Sequence, residues 1–353
     1  MRKNIHLVHL SSQIGGIEVL LPEMIRNIPD YSFSAFIVRP SKSNEANIYN
    51  GIKIPLVHGS RKNIEAFIKL FCYARKFKRD VFHVFNIGPF FLLVIRLAGV
   101  KKLLYAIHGT IYWRNLKQKY IYRFVWKLAI RRDYRFTCNS NYSGDVFKKN
   151  ISPISAIQLL YNPIVSKRFV PDQNKKGSDS PMKVVYLGRL ARGKNLEKWI
   201  EVADFLKQHF PAAIFIIYGT GPEEDKLRSI VRSRHLEDKI IFKGYIGKPE
   251  KVYQEMDVTL FLSKYESFGN VVVESILCGT PVIAGAIPSM KEIFRDFPEF
   301  LVEMDENLEN NVLQKLKDLD KLNRLALSAR EQFIERFAEE VHFKKLRAIY
   351  DSL

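Results

Sequence analysis

The sequence predicts an α/β protein of two Rossmann-like domains facing each other across a cleft. Three observations carry that expectation. Short β-branched or aromatic runs alternate with helical stretches from residue 4 onward, the pattern of parallel strands joined by crossover helices. The alternation pauses over residues 165–182, a polar stretch rich in chain breakers, and then restarts. The length, 353 residues, suits two domains of ordinary size.

In the first half, strands are expected at 5–10, 34–38, 81–85, 103–107 and 134–138. Between them Ile64, Phe67, Ile68, Phe71 and Phe77 recur at helical spacing. Residues 1–165 are read as the first domain and 166–182, with Pro171, Gly177 and Pro181, as a linker. In the second half, strands are expected at 183–187, 213–218, 239–242, 258–262 and 281–284, with helices between them. Residues 183–335 form the second domain, and 336–353 read as a terminal helix. Open α/β sheets bind ligands at the carboxyl ends of their strands, so the cleft is the expected site.

Composition narrows the class. Hydrophobic residues make up 47% and charged residues 26%, which excludes a largely disordered chain. Cys72, Cys138 and Cys278 are far apart with no C-x-x-C pair, which speaks against a disulfide scaffold or a structural zinc site. The apolar start at 5–10 is short and holds His6 and His9, so it reads as a strand and not a signal peptide. The apolar run 87–100 is interrupted by Arg96 and too short to span a bilayer.

The net charge of +19 is unevenly spread. Residues 1–170 carry 28 Lys/Arg against 8 Asp/Glu, while residues 171–353 carry 28 against 29. The whole excess therefore sits in the first half, which is expected to face something anionic. Lys119, Arg123, Lys127 and Arg131 fall at i, i+4 spacing as one basic stripe, with Tyr112, Trp113, Tyr120, Tyr122 and Trp126 nearby. Like charges so placed repel on an isolated helix, and aromatic rings favour a membrane interface. The expected partner is an anionic membrane surface, on the inner face of the cell membrane. A solvated helix face is the plain alternative.

Five loops carry candidate chemistry. Gly188, Arg189, Lys194 and Asn195 lie between a strand and a helix start, where free N–H groups and two cations suit a diphosphate. A solvated basic turn would look similar. Tyr218, Gly219 and Gly221 form a second strand-to-helix turn, where glycine admits close approach. A tight turn needs glycines too.

The strongest signal is Glu266, Ser267, Phe268, Gly269 and Asn270, followed by Glu274. Two carboxylates flank a helix start, and each can accept hydrogen bonds from sugar hydroxyls. Glu274 lies in an apolar run, where an unpartnered acid would be costly; a buried structural acid is the other reading. Gly15 and Gly16 form a glycine loop after the first strand that does not match G-x-G-x-x-G, which argues against nicotinamide binding. His108 ends a strand and is expected to face the cleft, within reach of a sugar hydroxyl, though a lone histidine is often structural. No metal site is expected: the D-x-D string at Asp318 and Asp320 reads as a solvated helix face.

Taken together, G-G near the start, G-R-L-x-x-G-K-N, Y-G-x-G-P, and E-S-F-G-x-x-x-x-E followed by G-T-P-V-I-A resemble the retaining glycosyltransferases of family four, bacterial surface-polysaccharide type. The resemblance spans nearly the whole chain and is strongest over residues 183–285. It implies the GT-B fold. It also implies that Arg189 and Lys194 hold the donor diphosphate and that Glu266 contacts the donor sugar. Phe268, Gly269 and Asn270 would line the sugar and phosphate, and Glu274 would bind the ribose. Gly16 would lie by the donor phosphate and His108 near the transferred sugar. The backbone near Tyr245 and Ile246 would meet the base, and the terminal helix would cross back to the first domain. Two departures concern the acceptor more than the donor: the N-terminal motif region is atypical, and Ile287, Pro288, Ser289 and Met290 stand where many members carry a glycine pair before Glu292.

The resemblance implies transfer of a hexose or N-acetylhexosamine, with retention, from a nucleotide diphosphate sugar. UDP is favoured over GDP, and the acceptor is a lipid-linked saccharide in O-antigen or capsule assembly. No cofactor beyond this co-substrate is expected. Two other classes fit parts of the sequence. A nucleic-acid binder would explain the basic and aromatic residues but not Glu266 and Glu274, so no nucleic acid partner is expected. A nucleotide-sugar epimerase would need no acceptor.

Overall fold

The computed structural model describes residues 2–11, 16–40, 49, 52–110, 113, 115–151, 156–172 and 181–353. It divides into two compact units, residues Met1–Pro163 with Glu340–Leu353, and Ile164–Glu339.

The first unit holds strands β1 (Asn4–Ser11), β2 (Ser32–Arg39), β3 (Leu56–His58), β4 (Val81–Phe85), β5 (Leu103–Ile107), β6 (Arg135–Cys138) and β7 (Gln158–Leu159). Helices α1 (Gly16–Asn27), α2 (Asn63–Lys76), α3 (Pro89–Leu97), α4 (Leu116–Ala129) and α5 (Asn141–Asn150) connect them. The sheet is parallel throughout, in the order β3-β2-β1-β4-β5-β6-β7. All five residues of β4 and of β5 are buried, as expected of central parallel strands covered on both faces.

Alternation along the strands divides the core in two. Val8, Phe36, Val84, Tyr105 and Phe136 pack on one side with Leu70, Leu92, Trp126 and Phe147 from the helices. Leu7, Ala35, Phe85 and Leu104 pack on the other with Leu21 and Met24 of α1 and with Phe343, Leu346 and Tyr350. Those last three lie on the terminal helix, whose Tyr350 hydroxyl is 2.6 Å from His83 Nδ1. Arg347 Nη2 on the same helix donates to the Asn27 carbonyl at 2.8 Å.

The second unit holds β8 (Lys183–Leu187), β9 (Ile214–Tyr218), β10 (Ile240–Gly244), β11 (Val258–Phe261), β12 (Val282–Gly285) and β13 (Leu301–Val302). Its helices are α6 (Leu196–Leu206), α7 (Glu224–Ser233), α8 (Pro249–Glu255), α9 (Asn270–Leu277), α10 (Pro288–Ile293), α11 (Leu308–Lys317) and α12 (Leu319–Phe337). The order β10-β9-β8-β11-β12-β13, all parallel, is the doubly wound arrangement that reverses between its first and fourth strands. The expected pair of Rossmann-like folds is therefore present. Buried hydroxyls lock α9 to the sheet: Thr259 Oγ1 and Ser275 Oγ are 2.8 Å apart, and Ser275 Oγ donates to the Thr280 carbonyl at 2.9 Å.

No described helix is long and apolar enough to cross a membrane.

Candidate active site

In the second unit the strand order reverses between β8 and β11, the point at which open α/β sheets bind ligands. The loops leaving these two strands carry Gly188 to Asn195 and Ser263 to Gly269. They are tied together: Lys264 N donates to the Gly193 carbonyl at 3.0 Å. A Cβ at Gly193 would lie 2.6 Å from the Tyr265 ring, so a side chain there would make that exposed ring move aside. The result is an ion pair between Lys194 Nζ and Glu266 Oε2, with about a quarter of the lysine side chain exposed. Lys194 Nζ also lies 5.7 Å from the Phe261 ring centroid.

Arg189 is held by its backbone, whose carbonyl accepts from the Tyr186 hydroxyl at 3.0 Å. Its side chain is exposed and makes no ion pair among the described residues. The structure thus brings Lys194 and Glu266 together and leaves the Arg189 guanidinium out of that contact. Burial, and next the charge of Glu266, raise the Tyr186 phenol well above its ordinary value. The hydroxyl therefore stays a donor.

The glycines of the neighbouring turn have an internal cause. Gly188 and Gly219 have φ of +150° and +132°, and a Cβ at Gly219 would lie 1.8 Å from the Gly188 carbonyl oxygen. A Cβ at Gly221 would lie 2.2 Å from the Leu190 carbonyl oxygen. Leu190 N donates to Thr220 O at 2.9 Å. The sequence suggested room for a ligand at these positions; the structure shows two backbones in close packing. Tyr218 and Ile246 are partly buried against Val185, Ile216, Val252 and Met256. Tyr245 is exposed, just beyond β10.

Gly269 has φ of +111° and caps α9, and Met290 Cε would lie 2.8 Å from a Cβ there. Met290 belongs to the stretch that departs from the glycine pair of many family members, so that departure forms the floor under the helix start. Ser267 and Asn270 are half-buried beside it. Phe268 is buried edge-on against Phe337, with ring centroids 5.5 Å apart. Its side chain belongs to the core, and only its backbone can meet a ligand.

Glu274 lies one turn into α9, half-buried, and accepts a hydrogen bond from the Tyr253 hydroxyl at 3.0 Å. Burial pushes its carboxyl up to about 7, against the smaller opposing effects of the Tyr253 hydrogen bond and the Arg168 charge. The two acids expected together do flank the start of α9, but one is paired with a lysine and the other with a tyrosine. Tyr253 left no trace in sequence patterns, because it sits on α8 and reaches Glu274 only in the fold.

In the first unit, His108 follows β5 and lines a small cavity of about 10 Å³ with His83, His342, Thr137 and Asn139. Burial, with the charge of His342 a lesser cause, pushes its imidazole down to about 3. It is therefore neutral near pH 7, able to donate at one nitrogen and accept at the other. Gly16 opens α1, and Gly15 lies outside the described residues.

The basic stripe is partly as expected. Lys119, Arg123 and Lys127 lie on α4, while Arg131 lies beyond its end and pairs with Asp133 at 2.9 Å. Trp126 is not a surface ring: it is buried against Tyr105 and Phe147. Tyr112 lies outside the described residues. What the sequence reading passed over is an apolar row. Leu116, Tyr120 and Phe124 are 70%, 70% and 64% exposed, and Leu128 is exposed behind them. Their i, i+4 spacing was the available signal.

Two parallel-sheet α/β units, the second with a charged loop pair at its switch point, are those of the GT-B fold. The fold is shared over 99% of both chains with Anabaena Alr3699/HepE, solved with UDP and glucose (TM-score 0.81, 19% identity). It is shared to the same extent with TarM (TM-score 0.78, 13% identity). Residues 14–168 match the model for Glycosyltransferase Family 4 and residues 169–332 that for Glycosyl transferases group 1, so the chain is a glycosyltransferase. One curated relative is the N-acetylgalactosamine-N,N'-diacetylbacillosaminyl-diphospho-undecaprenol 4-alpha-N-acetylgalactosaminyltransferase of Campylobacter jejuni. It is 29% identical over 75% of this chain and 76% of its own. Another is the O-antigen biosynthesis glycosyltransferase WclY of Escherichia coli, 30% identical over 39% of each chain. The chain spans about half or less of two further relatives, the N-acetyl-alpha-D-glucosaminyl L-malate synthase of Bacillus anthracis (55%) and the poly(ribitol-phosphate) alpha-N-acetylglucosaminyltransferase of Staphylococcus aureus (40%).

Proposed function

We propose that this chain transfers a hexose or N-acetylhexosamine from a UDP-sugar to a lipid-linked saccharide, with retention and without a metal ion, in O-antigen or capsule assembly. The observation that carries the reading is the Lys194–Glu266 pair at the switch point of the second sheet, next to the N-terminus of α9. A diphosphate placed there meets a cation and a helix start, while Glu266 and Glu274 accept from the hydroxyls of the sugar and the ribose.

In this reading Lys194, with Arg189, stabilises charge on the leaving diphosphate. The bond from the anomeric carbon to the phosphate oxygen breaks. The acceptor oxygen bonds to the same face of that carbon, and its proton passes to the departing phosphate. Stabilisation of the developing charge supplies most of the rate. Neutral His108 is assigned to a hydroxyl of the transferred sugar.

The lipid-linked acceptor is supported by the substrate named for the Campylobacter jejuni relative and by α4. That helix sets Lys119, Arg123 and Lys127 beside an exposed apolar row, a combination suited to an anionic bilayer surface. The deciding experiment is a donor screen: thermal shift and nucleotide release with UDP- and GDP-sugars, followed by the anomeric configuration of the product. Stabilisation by a UDP-sugar and an α-linked product from an α-linked donor are expected. No response to any nucleotide sugar would overturn the reading.

A further inference from the structure

We infer that Tyr253 is a positioning residue for nucleotide binding: its hydroxyl holds one oxygen of the Glu274 carboxylate so that the other faces the ribose diol. This rests on the reading of Glu274 as the ribose acceptor.

Tyr253 is completely buried on α8, and its hydroxyl donates to Glu274 Oε2 at 3.0 Å. The residue is fixed at its other end, where its carbonyl accepts from Thr280 Oγ1 at 2.5 Å. Thr280 is in turn bound to Ser275, the neighbour of Glu274. The phenol and the carboxylate are thus held from two sides by one short polar chain. Phe169 packs against the Tyr253 ring with centroids 6.3 Å apart, which limits its movement.

The arrangement fits a single task. A carboxylate can accept about four hydrogen bonds. The phenol takes up one oxygen and leaves the second for two hydroxyls on adjacent carbons. The phenol also favours the ionised acid, although burial outweighs it and holds the carboxyl at about 7. Burial alone favours the neutral acid, and a hydrogen bond to the charged form opposes this. The other charged groups acting on Glu274 are Arg168, which favours ionisation, and Glu250, which opposes it. These two are themselves paired at 2.7 Å, so their effects partly cancel, and Tyr253 is the direct hydrogen-bond partner among the described residues.

The test compares the full-length chain with Tyr253→Phe and Glu274→Gln by calorimetric titration at pH 7. UDP and GDP are each titrated, and the tighter one is then compared with its 2′,3′-dideoxy form. The wild type should favour the ribose form by about tenfold or more, the scale of a hydrogen bond to a charged group. In Tyr253→Phe this preference should shrink to about threefold or less, with the donor KM raised and kcat little changed. Weak binding should deepen towards pH 6 more steeply than in the wild type. The preference is a ratio within one variant, so incomplete folding does not alter it.

If Tyr253→Phe weakens both nucleotides equally and keeps the full preference, Tyr253 only packs, and the proposal fails while the ribose reading stands. If the wild type shows no preference, or Glu274→Gln keeps it, Glu274 does not bind the ribose. The underlying reading then fails too.

Discussion

Lys194 and Glu266, 72 residues apart in the chain, meet as an ion pair where the loops after β8 and β11 touch. Partial exposure makes such a pair worth little to the fold, roughly 0–1 kcal/mol. In the proposed function its value lies in holding a cation ready for a diphosphate. Lys194→Ala should therefore leave the melting temperature nearly unchanged and lower kcat about 10²–10³-fold. Steady-state kinetics beside a thermal melt check this. Normal turnover with normal donor affinity would remove Lys194 from the proposed mechanism.

Gly219 tests whether the turn after β9 serves the ligand or the backbone. At φ of +132°, with the Gly188 oxygen 1.8 Å from any Cβ, Gly219→Ala combines backbone strain with a backbone clash. The expected cost is about 2–4 kcal/mol, read by urea denaturation of the second unit. Gly247 is the control, because a Cβ there would meet nothing within 4 Å. Gly247→Ala should be neutral or slightly stabilising. Equal effects at both positions would contradict the backbone explanation.

These glycines also mark the boundary of what the sequence discloses. Glycine at a turn is visible in the sequence; whether a ligand or another loop occupies the space is not. Strands follow similar logic. β4, β5 and β8 match their expected bounds because near-continuous apolar runs record burial on both faces. The strands β3, β7 and β13 were not anticipated. Each is two or three residues long at a sheet edge, where the neighbouring strand, and not the local sequence, defines pairing. In the site, Lys194, Glu266 and Glu274 were recognisable by type and spacing, whereas Tyr253 and Tyr265 act across the fold. On α4 the basic stripe was legible. The side facing the sheet was not, so Trp126 was read as a surface ring.

Glu274 gives a stability prediction of defined sign. Burial raises its carboxyl from 4.5 to about 7 in the folded chain. The folded state thus holds the proton more tightly than the unfolded state. This contribution is complete below pH 4.5, declines as pH rises through 7, and is absent above. At pH 8 the enzyme carries a costly buried charge, and Glu274→Gln, which can still accept from Tyr253, should stabilise it by about 1–3 kcal/mol. At pH 5 the gain should shrink. Denaturation of both proteins at the two pH values checks this, and a gain independent of pH would contradict the shift. Stability gained at the expense of function is expected where a site holds a strained charge.

Helix α4 buries Val125, Trp126 and Ala129 against its unit and turns Leu116, Tyr120, Phe124 and Leu128 outward. Exposed apolar residues are ordinary when scattered, but a contiguous row marks an interaction surface. Lys119, Arg123 and Lys127 share this helix, so the two contributions to the proposed membrane binding can be separated. Phe124→Gln removes apolar insertion worth about 1.5–3 kcal/mol without changing the charge, and should reduce co-sedimentation with anionic vesicles tenfold or more, about equally at low and high salt. Lys127→Glu should cost about 1 kcal/mol per charge removed, an effect that salt abolishes. Neither position belongs to the core, so both variants should melt as the wild type does. Equal pelleting on neutral and anionic vesicles would discard the electrostatic half of the idea, and unchanged binding by Phe124→Gln the apolar half.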